Sequence, residues 1–154
     1  MVNTQIKRLA GFGVLFALLV VSVGAYTRLA DAGLGCPDWP GCYGFLTVPD
    51  QAEEITLAET RYPDAPVEFA KAWWEMGHRY IAGALLVLVF SMLVLAYRGR
   101  QREDTPLALA SVLMVIILCQ AAFGAWTVTL KLWPQVVTGH LLGGFTTLSL
   151  IWLL

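Results

Sequence analysis

The chain has 154 residues, of which 58% are hydrophobic and only 14% are charged, and its formal net charge is −1. Since ordinary soluble domains carry about 25% charged residues, this composition excludes an ordinary soluble domain and indicates an integral membrane protein. The chain has no basic stripe of the kind that binds nucleic acid.

Four apolar blocks are each close to the roughly 20 residues that a helix needs to cross a bilayer. The predicted fold class is therefore all-α, an antiparallel four-helix bundle in the membrane that forms a single domain over residues 1–154. The first block stays apolar to its end, which favours a retained span over a cleavable signal peptide. The predicted spans are about 9–26, 78–97, 107–128 and 137–154.

The distribution of basic residues predicts the orientation of these spans. Half of the basic residues lie in two short segments, and the rest are spread over much longer connections. Because the orientation rule counts short flanking segments, both termini are expected in the cytoplasm. The long connection 27–73 then forms an extracytoplasmic loop. The residues of the two short segments are Lys7, Arg8, Arg98, Arg100 and Arg102.

The outer loop divides into three parts. Residues 31–44 are dense in Gly and Pro, which predicts a compact, turn-rich segment. Residues 51–60 are polar and suit a short surface helix. Pro63 and Pro66 then break the chain, so the second membrane helix can begin early, within residues 67–76.

An internal repeat relates the two halves of the chain. The pentapeptide VGAYT at residues 23–27 ends the first span, and FGAWT at residues 123–127 ends the third. A Gly-His pair opens the second span at His78 and the fourth span at His140. The two helical hairpins therefore resemble copies that differ mainly in the length of the outer loop.

The two histidines are the strongest candidates for chemistry, because ligating side chains inside membrane spans are costly and usually functional. His78 and His140 are expected at similar depth near the outer face, where they could supply both axial ligands of a heme iron in the bundle core. Alternatively, each caps a helix start or bonds a carbonyl. Gly83, Gly139 and Gly143 would allow close approach of a macrocycle or of another helix.

Further polar residues lie near these histidines. Glu75 shares a helical face with His78 and could act as a base, as a proton relay or as a partner of the ligand. A helix-N-terminal acid favoured by the macrodipole is the simpler explanation. Arg28 and Arg79 flank the outer ends of the first two spans and could pair with carboxylates such as heme propionates, or with lipid head groups.

Two of the three cysteines lie in the turn-rich loop. Cys36 and Cys42 could form a disulfide in an oxidising periplasm, either as a loop staple or as a redox-active pair. Cys119 lies in the middle of the third span, where it is expected to pack as a small hydrophobic residue.

Several of these elements resemble one protein family. Residues 24–29 (GAYTRL) and 31–42 (DAGLGCPDWPGC) look like the first span and first outer loop of the heme A synthase family. Residues 75–79 (EMGHR) are similar to its Glu-x-x-His-Arg element, and residues 138–141 (TGHL) to its second histidine motif. The resemblance covers essentially the whole chain.

The resemblance implies a fold and an activity. Family members have eight spans in two similar four-helix bundles, of which the second binds heme b and the first takes heme O as substrate. They oxidise a methyl group of heme O to the formyl group of heme A, which supplies cytochrome oxidase. This chain then corresponds to the first bundle, and the enzyme that makes heme O is an expected partner.

By the same resemblance, His78 and His140 would be the iron ligands, Glu75 the catalytic or proton-handling acid, and Cys36 with Cys42 the loop pair. Because the chain has one bundle where the family has two, truncation is expected, and a homodimer could rebuild the pair. Two other functions stay open: a non-catalytic bis-His heme subunit for electron transfer, and a cofactor-free assembly protein.

Overall fold

The computed structural model describes residues 2–154, and within them it contains five helices and no strand. The prediction of an all-α fold is therefore confirmed. The helices are rich in Leu, Ala and Val and have no proline in their interiors; the one helical proline, Pro134, occupies a first-turn position, where its missing N–H costs nothing. They are α1 (Val2–Leu29), α2 (Ala52–Arg61), α3 (Phe69–Arg98), α4 (Leu107–Thr129) and α5 (Pro134–Trp152).

Three helices are long and apolar enough to cross a membrane: Asn3–Leu29 within α1, α3 and α4. Many of their large apolar side chains point outwards; Leu15 is 69% exposed and Val115 is 59% exposed. Such surfaces suit contact with lipid, in which helices satisfy their own backbone hydrogen bonds. The chain is therefore a multi-pass membrane protein, as the composition predicts.

The fourth predicted span corresponds to α5, which is not among those three helices. Its 19 residues include Gln135, His140, three glycines and several hydroxyl side chains, which lower its mean hydropathy. The membrane crossing of α5, and with it a bundle of four crossings, stays a prediction.

The four long helices contact one another in a closed ring: α1 and α4 each pack against both α3 and α5. Helices α1 and α3 run in opposite directions, because Gly13 of α1 lies against Met92 whereas Gly24 lies against His78. Small residues on α1 allow this close approach. The central core consists of Ala10, Ala17, Val20, Leu85, Val89, Met92, Leu113, Ile117 and Ile151.

The connection between α1 and α3 has a small core of its own. The predicted surface helix at 51–60 is confirmed as α2, and the turn-rich segment before it folds without helix or extended strand. Side chains of this segment and of α2 pack on the first turns of α3. The buried residues there are Cys36, Cys42, Tyr43, Val48, Ala58, Ala72 and Met76.

Hydrogen bonds hold the turn-rich segment in shape. The Asp38 carboxylate accepts hydrogen bonds from the backbone N–H groups of Tyr43 (2.6 Å) and Gly44 (2.7 Å). The Tyr43 hydroxyl donates to the carbonyl of Pro66 at 3.0 Å. Burial, with a smaller effect of the Glu68 carboxylate, raises the pKa of the Tyr43 phenol, so this donor keeps its proton at neutral pH.

Helix α1 ends in a Schellman motif, in which two N–H groups beyond the helix satisfy its last free carbonyls. Ala32 N–H donates to the Thr27 carbonyl at 2.9 Å, and Asp31 N–H donates to the Arg28 carbonyl at 3.3 Å. Asp31 takes the left-handed conformation that this motif requires, with φ of 52°.

Helix α4 ends in the same way. Leu132 N–H donates to the Thr127 carbonyl at 2.8 Å, Lys131 N–H donates to the Val128 carbonyl at 3.0 Å, and Lys131 has φ of 49°. The backbone correspondence between the two copies therefore extends beyond the shared pentapeptide into the turn after each helix, although the residues there differ. The first copy then continues into the long loop, whereas the second enters α5.

We predict that Lys131→Gly stabilises the protein by about 1 kcal/mol, because a side chain in the left-handed region costs roughly 1–2 kcal/mol that glycine avoids. Asp31→Gly should give a smaller gain, since Asp tolerates this conformation better than Lys. Thermal unfolding in detergent micelles measures both effects.

The matched control is Ala121→Gly on the exposed surface of α4. It should destabilise the protein by about 1 kcal/mol, because it places glycine inside a helix. A loss of stability for Lys131→Gly as large as that of the control would contradict the role assigned to this turn.

Candidate functional site

The structure brings the only two histidines of the chain together. His78 lies in the third turn of α3 and His140 in the second turn of α5, and their ring centroids are 6.5 Å apart. The two ring planes are nearly perpendicular, at 86°. Neither ring is fully exposed, so the pair forms a partly enclosed site at one end of the helices.

The spacing of the rings suits a shared metal ion. The 6.5 Å between the ring centroids leaves room for one metal ion between the rings, at metal–nitrogen distances of about 2 Å. The Nδ1 atoms of His78 and His140 are buried and have no hydrogen-bond partner in the described chain. Because an unpaired buried polar group costs about 1–3 kcal/mol, a ligand from outside the chain would be favoured here.

A heme fits this donor set. Two neutral imidazoles would be able to hold a heme iron, each through one of its ring nitrogens. The unpartnered Nδ1 atoms of His78 and His140 support this use of the pair.

Each histidine contacts a glycine on the first helix of its own copy of the repeat. A Cβ atom added to Gly24 of α1 would lie 2.7 Å from Cε1 of His78. One added to Gly124 of α4 would lie 3.4 Å from Cε1 of His140. The repeated glycines therefore face the repeated histidines, although the first contact is much tighter than the second.

The other glycines that the sequence suggested play different parts. A Cβ at Gly139 would lie 2.8 Å from the Phe123 ring, and one at Gly143 would overlap the side-chain amide of Gln120. Both glycines therefore allow side chains of α4 to approach α5. This is the role in helix packing that the sequence offered as the alternative to close approach of a macrocycle. Gly83 has no atom within 4 Å of its Cβ position.

Glu75 is buried one turn before His78 and faces the outer loop. Its carboxylate accepts a hydrogen bond from the backbone N–H of Cys36 at 2.9 Å and forms an ion pair with Arg79. Only 7% of the Glu75 side chain is exposed. The carboxylate thus ties the turn-rich segment to the histidine-bearing helix.

Arg79 completes this connection. Its Nη2 pairs with Glu75, and its Nη1 donates to the backbone carbonyls of Asp38 at 3.0 Å and Pro40 at 3.3 Å, and to that of Gly41. The guanidinium group therefore bridges the buried carboxylate and the loop. The sequence carries no signal for these bonds, because their acceptors are backbone carbonyls.

The structure also places the remaining candidates. Cys36 and Cys42 are joined in a buried disulfide, which confirms the predicted pair. Arg28 is exposed at the end of α1, and no carboxylate of the described chain forms a salt bridge with it. Cys119, which the sequence predicts to pack as a small hydrophobic residue, has its side chain on the exposed surface of α4.

Exposed aromatic side chains surround the end of the helices that carries the histidines. Tyr26 of α1 packs on Trp74 of α3 with 4.5 Å between ring centroids. Amphipathic rings of this kind collect where a membrane meets water. Others at this end include Trp73, Trp126 and Trp133.

Comparison with known families gives one match that covers nearly the whole chain. The model of the family COX15-CtaA, described as cytochrome oxidase assembly protein, matches residues 7–154. No solved structure matches the chain significantly.

The curated relatives named heme A synthase include three that are compared with this chain below. The protein of Shewanella oneidensis is 51% identical over 150 residues, which cover 97% of this chain and 44% of that protein. Those of Rhizobium rhizogenes and Geobacillus kaustophilus are 32% and 27% identical, over 75% and 82% of this chain, and the matches cover 34% of each relative. The chain thus spans less than half the length of these relatives.

We predict that Arg79→Ala speeds reduction of the disulfide between Cys36 and Cys42, because it removes the bonds that hold the loop carbonyls on α3. Removing one partner of a buried ion pair costs about 3–5 kcal/mol, so the loop should open more often. The rate would be measured with a water-soluble phosphine, by alkylation and mass spectrometry.

Arg98→Ala, an exposed change at the far end of the same helix, is the matched control and should leave the reduction rate unchanged. Equal rates in Arg79→Ala and in the unmodified protein would show that the guanidinium bridge does not hold the loop.

Proposed function

The chain belongs to the COX15-CtaA family of cytochrome oxidase assembly proteins, and we propose from this that it is the substrate-heme half of a heme A synthase. In that function a methyl group of heme O is oxidised to the formyl group of heme A for cytochrome oxidase. The observation that carries the proposal is the pair of His78 and His140, whose rings lie 6.5 Å apart with unpartnered Nδ1 atoms.

In the proposed site, the two imidazoles hold the iron of heme O and so fix the position of the porphyrin. The site lies at one end of the helices, where a heme could keep its propionates in water. Arg28 is exposed at this end and is the candidate partner for a propionate. Arg79 is less available, because its donors already contact Glu75 and the loop carbonyls.

Glu75 is the proposed proton-handling group. Conversion of a methyl group and water to a formyl group releases protons and electrons; the electrons pass to an oxidant outside this chain, and the protons need an acceptor at the site. Glu75 lies three residues before His78 on the same helix, and its carboxylate is held by Arg79 and by the Cys36 N–H. The same contacts make it a positioning group for the loop.

The proposed membrane arrangement has four crossings, which form one bundle that is the first of two similar bundles. The termini lie in the cytoplasm, and the histidine pair lies near the periplasmic face of a bacterial inner membrane. The disulfide between Cys36 and Cys42 supports an oxidising compartment for the loop.

Heme b would belong to the second bundle, either in the same protein or supplied by a second copy. The enzyme that makes heme O is the proposed upstream partner.

A chimera tests this function directly. This chain would replace the matching 150-residue segment of the Shewanella oneidensis relative, in cells that produce heme O. Extracted hemes would be identified by mass spectrometry. We predict heme A from the chimera, and its loss in both His78→Ala and His140→Ala, because each variant removes one axial ligand while the protein still inserts.

Thr146→Ala on the exposed side of α5 is the matched control and should keep heme A production. Heme A at the control level in His140→Ala would reject the ligand assignment. Bound heme without conversion in the chimera would favour an electron-transfer subunit, and absence of visible absorbance after purification with added heme would favour a cofactor-free assembly protein.

A further inference from the structure

We propose that Gly24 is a positioning residue for His78, because the side chain that it lacks leaves the space that the imidazole needs in order to face His140. The proposal concerns α1, which carries no candidate iron ligand of its own. It rests on the proposed function only in treating the positioned imidazole as an iron ligand.

The contact between Gly24 and His78 is with the ring itself. A Cβ at Gly24 would lie 2.7 Å from Cε1, 3.2 Å from Nε2 and 3.3 Å from Nδ1 of that one ring. Real Cβ atoms essentially never come within 3.0 Å of a heavy atom from another part of the chain. Because Cε1 lies between the two nitrogens, any movement that relieves this overlap displaces both possible ligand atoms.

The helices have little freedom to move apart instead. Two residues after Gly24 on α1, Tyr26 packs on Trp74 of α3 at 4.5 Å between ring centroids. Three turns before Gly24 on the same helix, a Cβ at Gly13 would already lie 3.0 Å from the end of the Met92 side chain of α3. The separation of α1 and α3 is therefore set on both sides of Gly24, and an added methyl group would act on the imidazole.

The second copy of the repeat has a looser contact. A Cβ at Gly124 would lie 3.4 Å from Cε1 and 3.8 Å from Nε2 of His140, which is ordinary van der Waals contact. The two glycines are equivalent in sequence, yet only the first has no room for alanine. The geometry therefore assigns Gly24, and not Gly124, as the position that fixes its histidine.

The decisive experiment compares three alanine variants of the whole chain. Gly24→Ala is the test, Gly124→Ala is the repeat-related comparison, and Gly11→Ala is the matched control, because it lies on the same helix with no atom within 4 Å of its Cβ position. The first readout needs no heme: the rate at which diethyl pyrocarbonate modifies His78, measured by peptide mass spectrometry. The second is heme affinity, with the visible and EPR spectra of the bound iron.

We expect Gly24→Ala to raise the modification rate of His78 several-fold. We also expect it to weaken heme binding by about 10- to 100-fold, the usual effect of changing groups that orient a metal-binding histidine. Gly11→Ala should change neither quantity, and Gly124→Ala should change the His140 rate little. Equal effects of Gly24→Ala and Gly11→Ala would overturn the proposal, since a general packing role predicts that result. Unchanged His78 modification in Gly24→Ala would also overturn it.

A double variant covers the case in which Gly24→Ala accumulates poorly. Because His78→Ala removes the ring that the new methyl group would strike, Gly24→Ala combined with His78→Ala should accumulate as well as His78→Ala alone. Poor accumulation of the double variant would overturn the proposal. If the unmodified chain binds no heme, the proposed function fails, whereas the modification rates and the double variant still test the positioning role.

Discussion

The packing of α1 on α3 is the contact on which the rest of the structure depends. Helix α3 carries two groups of side chains near its N-terminal end, and they face different neighbours. Ala72, Glu75 and Arg79 form one stripe at helical spacing beneath the outer loop. His78 lies off that stripe, between Gly24 of α1 and His140 of α5. One rigid helix therefore fixes both the loop and the first histidine.

The outer loop is held by electrostatics as well as by its small core. Glu75 and Arg79 are largely buried together, and a buried pair of this kind is favourable only if its remaining hydrogen-bonding capacity is used. The Cys36 N–H and the loop carbonyls provide that capacity. The disulfide links Cys36 to Cys42 and so restricts the conformation of the same segment. The loop therefore holds these backbone groups in a fixed arrangement. This explains why a carboxylate and a guanidinium can lie beneath a loop at little net cost.

The repeat gives the molecule an internal symmetry that is only approximate. Both copies place a glycine against a histidine and end their first helix in the same turn, at Asp31 and at Lys131. The copies differ where the first continues into the loop that packs on α3. The copy that bears the loop is also the one in which the histidine, His78, has the tighter contact with its glycine.

The sequence by itself determined the long helices, the surface helix and the disulfide, because apolar length, proline positions and cysteine spacing are local properties. It also indicated both histidines, through the repeat. Tertiary structure alone decided that Arg79 binds loop carbonyls, that Cys119 lies outside and that Gly24 is tighter than Gly124. These features depend on how each helix is rotated and how closely it approaches its neighbour. Helices that are apolar on every side carry no periodic signal that specifies either quantity.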